Sequence, residues 1–172
     1  MANQSIEYDA QGLAIEKVLN DWASDKARGG VARMVPNLKQ LYVQSAVNSD
    51  SLRILIAFGG TRKRSGFNIQ NKTRREDCIW KIAVTKGDAL SSERGDFLIN
   101  KTSTSDPFLL EVAKIRNLCI GIENISAEWP NDYDDIQPLQ LGDLVMSGYM
   151  ITFSVAHDFA FNNSTETDQD PQ

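Results

Sequence analysis

The sequence predicts an α+β fold (α/β in the broad sense): a single mixed or antiparallel β-sheet, packed by two main helices, with a long arm between two of its strands. Two alternating segments and one anomaly of charge carry that expectation. In Leu52–Phe58, the residues Leu52, Ile54, Ile56 and Phe58 fall on one face; in Asp77–Thr85, Cys78, Trp80, Ile82 and Val84 do the same. Apolar residues at every second position mark strands with one buried face. Between them, residues 59–75 hold Arg62, Lys63, Arg64, Lys72, Arg74 and Arg75 and no acid. The strands read as scaffold and the arm as a contact surface.

A chain of 172 residues suits one domain with one core. That domain is placed at residues 1–160, with the basic arm at 59–75 and a polar, acidic tail at 161–172 that reads as disordered. Apolar content of 41% and charged content of 24% are those of an ordinary soluble globule. The net charge of −5 hides an uneven distribution: residues 1–86 carry 14 basic and 8 acidic residues, residues 87–172 carry 4 and 15. Such a chain can pair with copies of itself or meet two different partners, unless the clustering is only a solvated surface. Cys78 and Cys119 both lie in apolar surroundings and read as reduced core residues, not a disulfide framework. There is no charged-then-apolar leader and no long apolar run.

Along the chain, Tyr8 to about Lys26 reads as an amphipathic helix, with Ala14, Ile15, Val18, Leu19 and Trp22 on one stripe and Gly29-Gly30 as its stop. Trp22 at that spacing is a core residue. Val31–Val47 fits either a short helix after Pro36-Asn37 or a pair of edge strands, and Pro36 argues against a central strand. The turn cluster Asn48–Ser51 feeds the first strong strand, and Gly59-Gly60 ends it. That glycine pair lacks the Lys-Ser/Thr and the following helix of a phosphate loop. Phe67 is the one aromatic anchor in the arm. After a polar stretch at Ala89–Ser105, Asp106-Pro107 caps a second helix with Phe108, Val112, Ile115 and Cys119 on one face and Gly121 at its end. Glu128–Asp135 is an acidic, aromatic loop. From Ile136 the chain returns to strands: Pro138–Leu141, then Leu144–Met146, a break or bulge at Ser147-Gly148, and a strong alternating strand through Tyr149, Ile151, Phe153 and Val155. His157 ends that strand.

No catalytic constellation emerges. His157 is the only histidine, which argues against nucleophilic triads and most zinc sites. Asp77 and Lys81 fall about 13 Å apart on a strand, outside the spacing of a two-metal nuclease motif. Asn131, Asp132, Asp134 and Asp135 lack the glycine and closing glutamate of a calcium loop. The expectation is therefore no enzyme, no cofactor and no metal. The arm has three readings: docking onto an acidic protein surface, sequence-independent contact with nucleic acid phosphates, or a solvated loop.

In Leu52-Arg-Ile-Leu-Ile-Ala-Phe-Gly-Gly, the arm, Arg75-Glu-Asp-Cys-Ile-Trp-Lys-Ile-Ala-Val and Gly148-Tyr-Met-Ile-Thr-Phe-Ser-Val, the chain resembles the tail terminator, or tail completion, proteins of long-tailed bacteriophages. The likeness is one of pattern and spans most of residues 8–157. It implies a small mixed-sheet subunit that forms a homo-hexameric ring, caps the tail tube protein, and offers a surface to the head-completion or connector protein. DNA would pass through the lumen without sequence readout, and the protein would reside at the head-proximal end of the virion tail. On this resemblance Arg62, Lys63, Arg64, Lys72, Arg74 and Arg75 contact the tube or a neighbouring subunit, ordering on assembly. The Ala89–Ser105 insert and the Trp129–Asp135 loop have no place in the family pattern. A nucleic-acid-binding module, another neck protein and a small phage-type nuclease stay open as alternatives.

Overall fold

Leu55 and Ala57 are as deeply buried as Ile54 and Ile56, so the first strong strand is covered on both faces. That observation sets the architecture: a sheet between two layers of helix. The computed structural model describes residues 2–25, 29–45, 51–68, 73–86, 108–122, 125, 127–128, 136–141 and 144–160. In chain order they form α1 (Ala2–Ala23), β1 (Val31–Met34), α2 (Leu38–Ser45), β2 (Arg53–Asn68), β3 (Thr73–Thr85), α3 (Phe108–Ile120), β4 (Ala127–Glu128), β5 (Ile136–Leu141) and β6 (Leu144–Ala160). The sheet order is β1-β2-β3-β6-β4, with β5 also on β6. β4 pairs with β6 at Val155 and Ser154, and β5 pairs with it from Ile151 to Leu144, so the two share one side. β1 lies parallel to β2 and every other pair is antiparallel, which makes the α+β sheet mixed.

The larger core lies under α1 and α3. Ile15 and Leu19 from α1 and Val112, Ile115 and Cys119 from α3 meet Ile54, Ile56, Cys78, Trp80, Ile82, Ile151 and Phe153. On the opposite face, Leu41 of α2 joins Val35, Leu55, Ala57, Ala83, Leu139 and Met150. Each fully buried Leu or Ile contributes roughly 1.5–3 kcal/mol of transfer free energy. A third helix is thus needed beside the two expected, because β2 has no polar face to leave in water. Cys78 and Cys119 are buried free thiols, and Trp22 packs against the larger core, both as expected.

Several boundaries differ from the sequence reading. α1 begins at Ala2 rather than Tyr8 and ends at Ala23 rather than Lys26. Gly30 N donates to Ala23 O at 2.9 Å, and Gly29 adopts a φ of 59° just before it. Val31–Val47 contains both alternatives: an edge strand, then a helix whose amide at Gln40 donates to the Asn37 Oδ1 cap at 2.9 Å. Gly59-Gly60 does not end its strand. Phe58 faces Trp80 and Gly60 faces Ile79, so Gly59 is the extra residue of a bulge and β2 runs on to Asn68. Likewise His157 is not the end of β6, which continues to Ala160. Ser147-Gly148 does mark an irregularity, opposite Leu139 between the Pro138 and Gln140 pairings. α3 ends as expected, with Gly121 N donating to Asn117 O at 3.3 Å. The Asp106-Pro107 cap, the Ala89–Ser105 stretch, residues 129–135, Lys72 and the 161–172 tail lie outside the described residues.

Candidate functional site

The basic segment is built into the sheet. Of the arm placed at residues 59–75, the described parts are the far half of β2 and the first residues of β3. β3 is paired along this stretch on both sides. Thr61 faces Cys78, Arg62 faces Asp77 and Lys63 faces Glu76; after a second register shift, Phe67 faces Arg74 and Asn68 faces Thr73. On the other side β6 places Ala160 opposite Thr73, Phe159 opposite Arg74, Asp158 opposite Arg75 and His157 opposite Glu76. The result is a three-stranded ribbon of Thr61–Asn68, Thr73–Cys78 and Val155–Ala160. Six residues of β3 give it a length of about 20 Å.

Register changes the charge balance that the sequence suggested. Arg62, Lys63 and Arg75 stand opposite Asp77, Glu76 and Asp158 respectively. Opposite charges directly across strands favour pairing in the sheet and reduce the field offered to a polyanion. Arg64 falls within the register shift between Lys63 and Phe67, with no residue of β3 opposite. Arg74 lies in a row between Phe67 and Phe159. Sequence reasoning missed Phe159, although the alternation Phe153, Val155, His157, Phe159 carried the signal.

At the root of the ribbon an aromatic cluster ties it to the core. The Phe58 ring lies 5.0 Å from Tyr8 of α1 and 5.4 Å, edge-on, from Trp80. The His157 ring is 6.4 Å from Tyr8. Trp80 Nε1 donates to Gln11 Oε1 at 3.1 Å, satisfying a buried indole that would otherwise lose about 1–3 kcal/mol. Gly60, at the bulge, has a φ of 106°, a conformation that L side chains rarely adopt.

Among the described residues no three of His, Cys, Asp and Glu group to hold a metal ion. Asp77 and Lys81 lie on one strand, opposite Arg62 and Ala57 of β2. Burial pushes the Cys119 thiol up to about 12, so it is protonated and unreactive at neutral pH. Lys86 Nζ approaches buried Glu111 at 3.6 Å, an ion pair between the end of β3 and α3. Among the described residues, no helix is long and apolar enough to cross a membrane. What the described residues define is a sheet domain with a charged ribbon rooted in an aromatic cluster. Neither a protein-family model nor a curated protein sequence matches the chain.

Proposed function

We propose that this chain is a structural subunit of a long-tailed phage, a tail terminator that assembles into a ring, caps the tail tube and joins it to the head connector. The observation that carries the reading is the three-stranded ribbon, which extends beyond the ends of β1 and β4 and bears Arg62, Lys63, Arg64, Arg74 and Arg75. A basic ribbon on one end and an acid-rich second half favour head-to-tail contact between copies. The sequence resemblance supplies the tube and the connector as the remaining partners. The cross-strand acids favour protein docking over phosphate binding, because three of the basic residues already have an acid opposite. Arg62, Lys63, Arg64, Lys72, Arg74 and Arg75 are the proposed contacts, made to the tube or to a neighbouring subunit.

The test is the native mass by light scattering, in dilute and concentrated solution, with and without purified phage tail tubes. A closed particle of about six copies, alone or on the tube end, is the expected result. A monomer at every concentration that also ignores the tubes overturns the proposal. If that monomer instead shifts on duplex DNA with a steep salt dependence, the nucleic-acid module takes its place.

A further inference from the structure

We infer that Arg33 anchors a carboxylate of a partner protein, on an acidic peptide segment laid across β1 and α2. This surface is separate from the basic ribbon and does not depend on the terminator reading. Arg33 stands opposite Leu55, seven residues before Arg62 along β2, or about 20 Å.

The alternation of β1 fixes the face. Ala32 turns into the larger core, while Val35 joins the smaller core with Leu55 and Leu41, so Val31 and Arg33 share the face that α2 covers. In register Val31 stands opposite Arg53 and Arg33 opposite Leu55. α2 runs back over this face and brings Gln44 to both strands. Arg33 Nη2 donates to Gln44 Oε1 at 2.6 Å, and Arg53 Nη1 donates to Gln44 O at 3.0 Å. Gln44 Nε2 in turn donates to Gln40 Oε1 at 3.4 Å. Arg53 thus holds the backbone of Gln44, Gln40 holds its side chain, and Gln44 holds the guanidinium of Arg33.

Arg33 is exposed even so. A guanidinium carries five N–H donors in a planar fork, and the bond to Gln44 uses one of them. The fork can donate two parallel bonds to a carboxylate, the geometry that lysine cannot supply. Fixing the side chain beforehand lowers the entropy lost when a ligand binds.

Charge and the flanking residues select the ligand. Residues 29–45 hold Arg33 and Lys39 and no acid, and Arg53 adds a third positive charge, so the surface favours an anion. Val31, two residues before Arg33 on the strand, is 43% exposed, and Val43, next to Gln44 on the helix, is 50% exposed. An arginine fork beside exposed aliphatic side chains has the make-up of a protein interface, where arginine is enriched among apolar contacts. Binding of single-stranded nucleic acid calls instead for aromatic side chains on which bases stack, and the exposed neighbours here are valines.

The experiment uses an acetylated, amidated peptide, Glu-Glu-Leu-Glu-Glu, with Gln-Gln-Leu-Gln-Gln as its uncharged control, and follows backbone amide and arginine Nε–H signals by NMR. The acidic peptide is expected to shift Val31, Arg33, Val43 and Gln44, and the control to leave them in place. Arg33→Lys keeps the charge but loses the fork, and should weaken binding about tenfold. Gln44→Leu leaves Arg33 charged but unheld, and should weaken binding by a smaller factor. Binding that Arg33→Lys leaves unchanged, shifts centred on other residues, or no shifts at millimolar peptide overturns the proposal. A DNA duplex that shifts the same residues and displaces the peptide also overturns it and assigns the surface to phosphates. Should Arg33→Lys lose its dispersed spectrum, Val43→Ser takes its place: weaker binding supports the proposal and unchanged binding overturns it.

Discussion

Gly12 lies where α1 crosses the sheet. A Cβ there would stand 2.6 Å from Met34 Cε and 2.9 Å from Trp80 Cη2. The end of Met34 can swing aside. Trp80 cannot, because Gln11 holds its indole nitrogen and Phe58 packs against its ring. Alanine at this position gains about 1 kcal/mol of helix propensity over glycine, which offsets part of the crowding. Valine adds two methyl groups with no such offset. Gly12→Val is therefore expected to lower stability by about 1–3 kcal/mol in urea unfolding, and Gly12→Ala by less. Equal stability of Gly12→Val and the natural chain would refute the close approach. Cys119 gives a pH-dependent prediction. Its thiol is raised from the ordinary 9.0 to about 12, so above pH 9 the unfolded chain releases a proton that the folded chain retains. Its contribution is complete below pH 9 and is lost as pH rises toward 12. Between pH 8 and 10.5, Cys119→Ala should lose less stability than the natural chain, as measured by denaturant midpoints.

At the scale of the element, α1 acts as both cover and clamp. Replacing Glu16 and Asn20 by alanine removes the acceptors for Met34 N and Ala32 N. Each change is expected to cost about 1 kcal/mol. Hydrogen exchange should accelerate at those two amides while Ile82, in the middle of β3, stays protected. Uniform acceleration, or none, would show that the side chains do not guard the edge. The bulge in β2 is a second elemental device. Nothing lies within 4 Å of where a Cβ on Gly60 would sit, so glycine is needed there for conformation, not for space. Gly60→Val should destabilise by roughly 1–3 kcal/mol, and a thermal melt unchanged from the natural chain would rule out a requirement for the φ of 106°. This bulge is also why the arm looked separate from the strand in sequence. A glycine pair followed by basic residues has the composition of a strand end, yet pairing with β3 carries the backbone through it.

For the whole molecule, the proposed head-to-tail contact sets the basic part of one copy against the acidic part of the next. The proposed contact is charged, so screening acts on it directly. Raising salt from about 0.05 M to 0.5 M should shift the mass seen by light scattering toward single copies, with no change in the circular dichroism of the fold. Association that strengthens with salt would point instead to an apolar interface, for which α3 offers the exposed apolar residues Leu109, Leu110 and Ile120, each at least 40% exposed.

The sequence by itself determined the two alternating strands, the core face of α3, the burial of both cysteines and the place where the last strand bulges. These follow from period-2 and period-3.6 patterns, and local pattern reflects which side of an element meets the core. It did not determine α2 as a layer, the reach of β2 and β6, or the acids opposite the basic residues. β2 is apolar on both faces near Leu55 and Ala57, and a continuous apolar run does not say what covers its second face. Beyond Gly60 the strands persist because three strands of the chain, β2, β3 and β6, exchange backbone hydrogen bonds, which no side-chain pattern encodes. Arg62 stands opposite Asp77, and Arg75 opposite Asp158. That sets much of the balance between a phosphate-binding arm and a protein-docking ribbon, and only tertiary pairing could place those residues side by side.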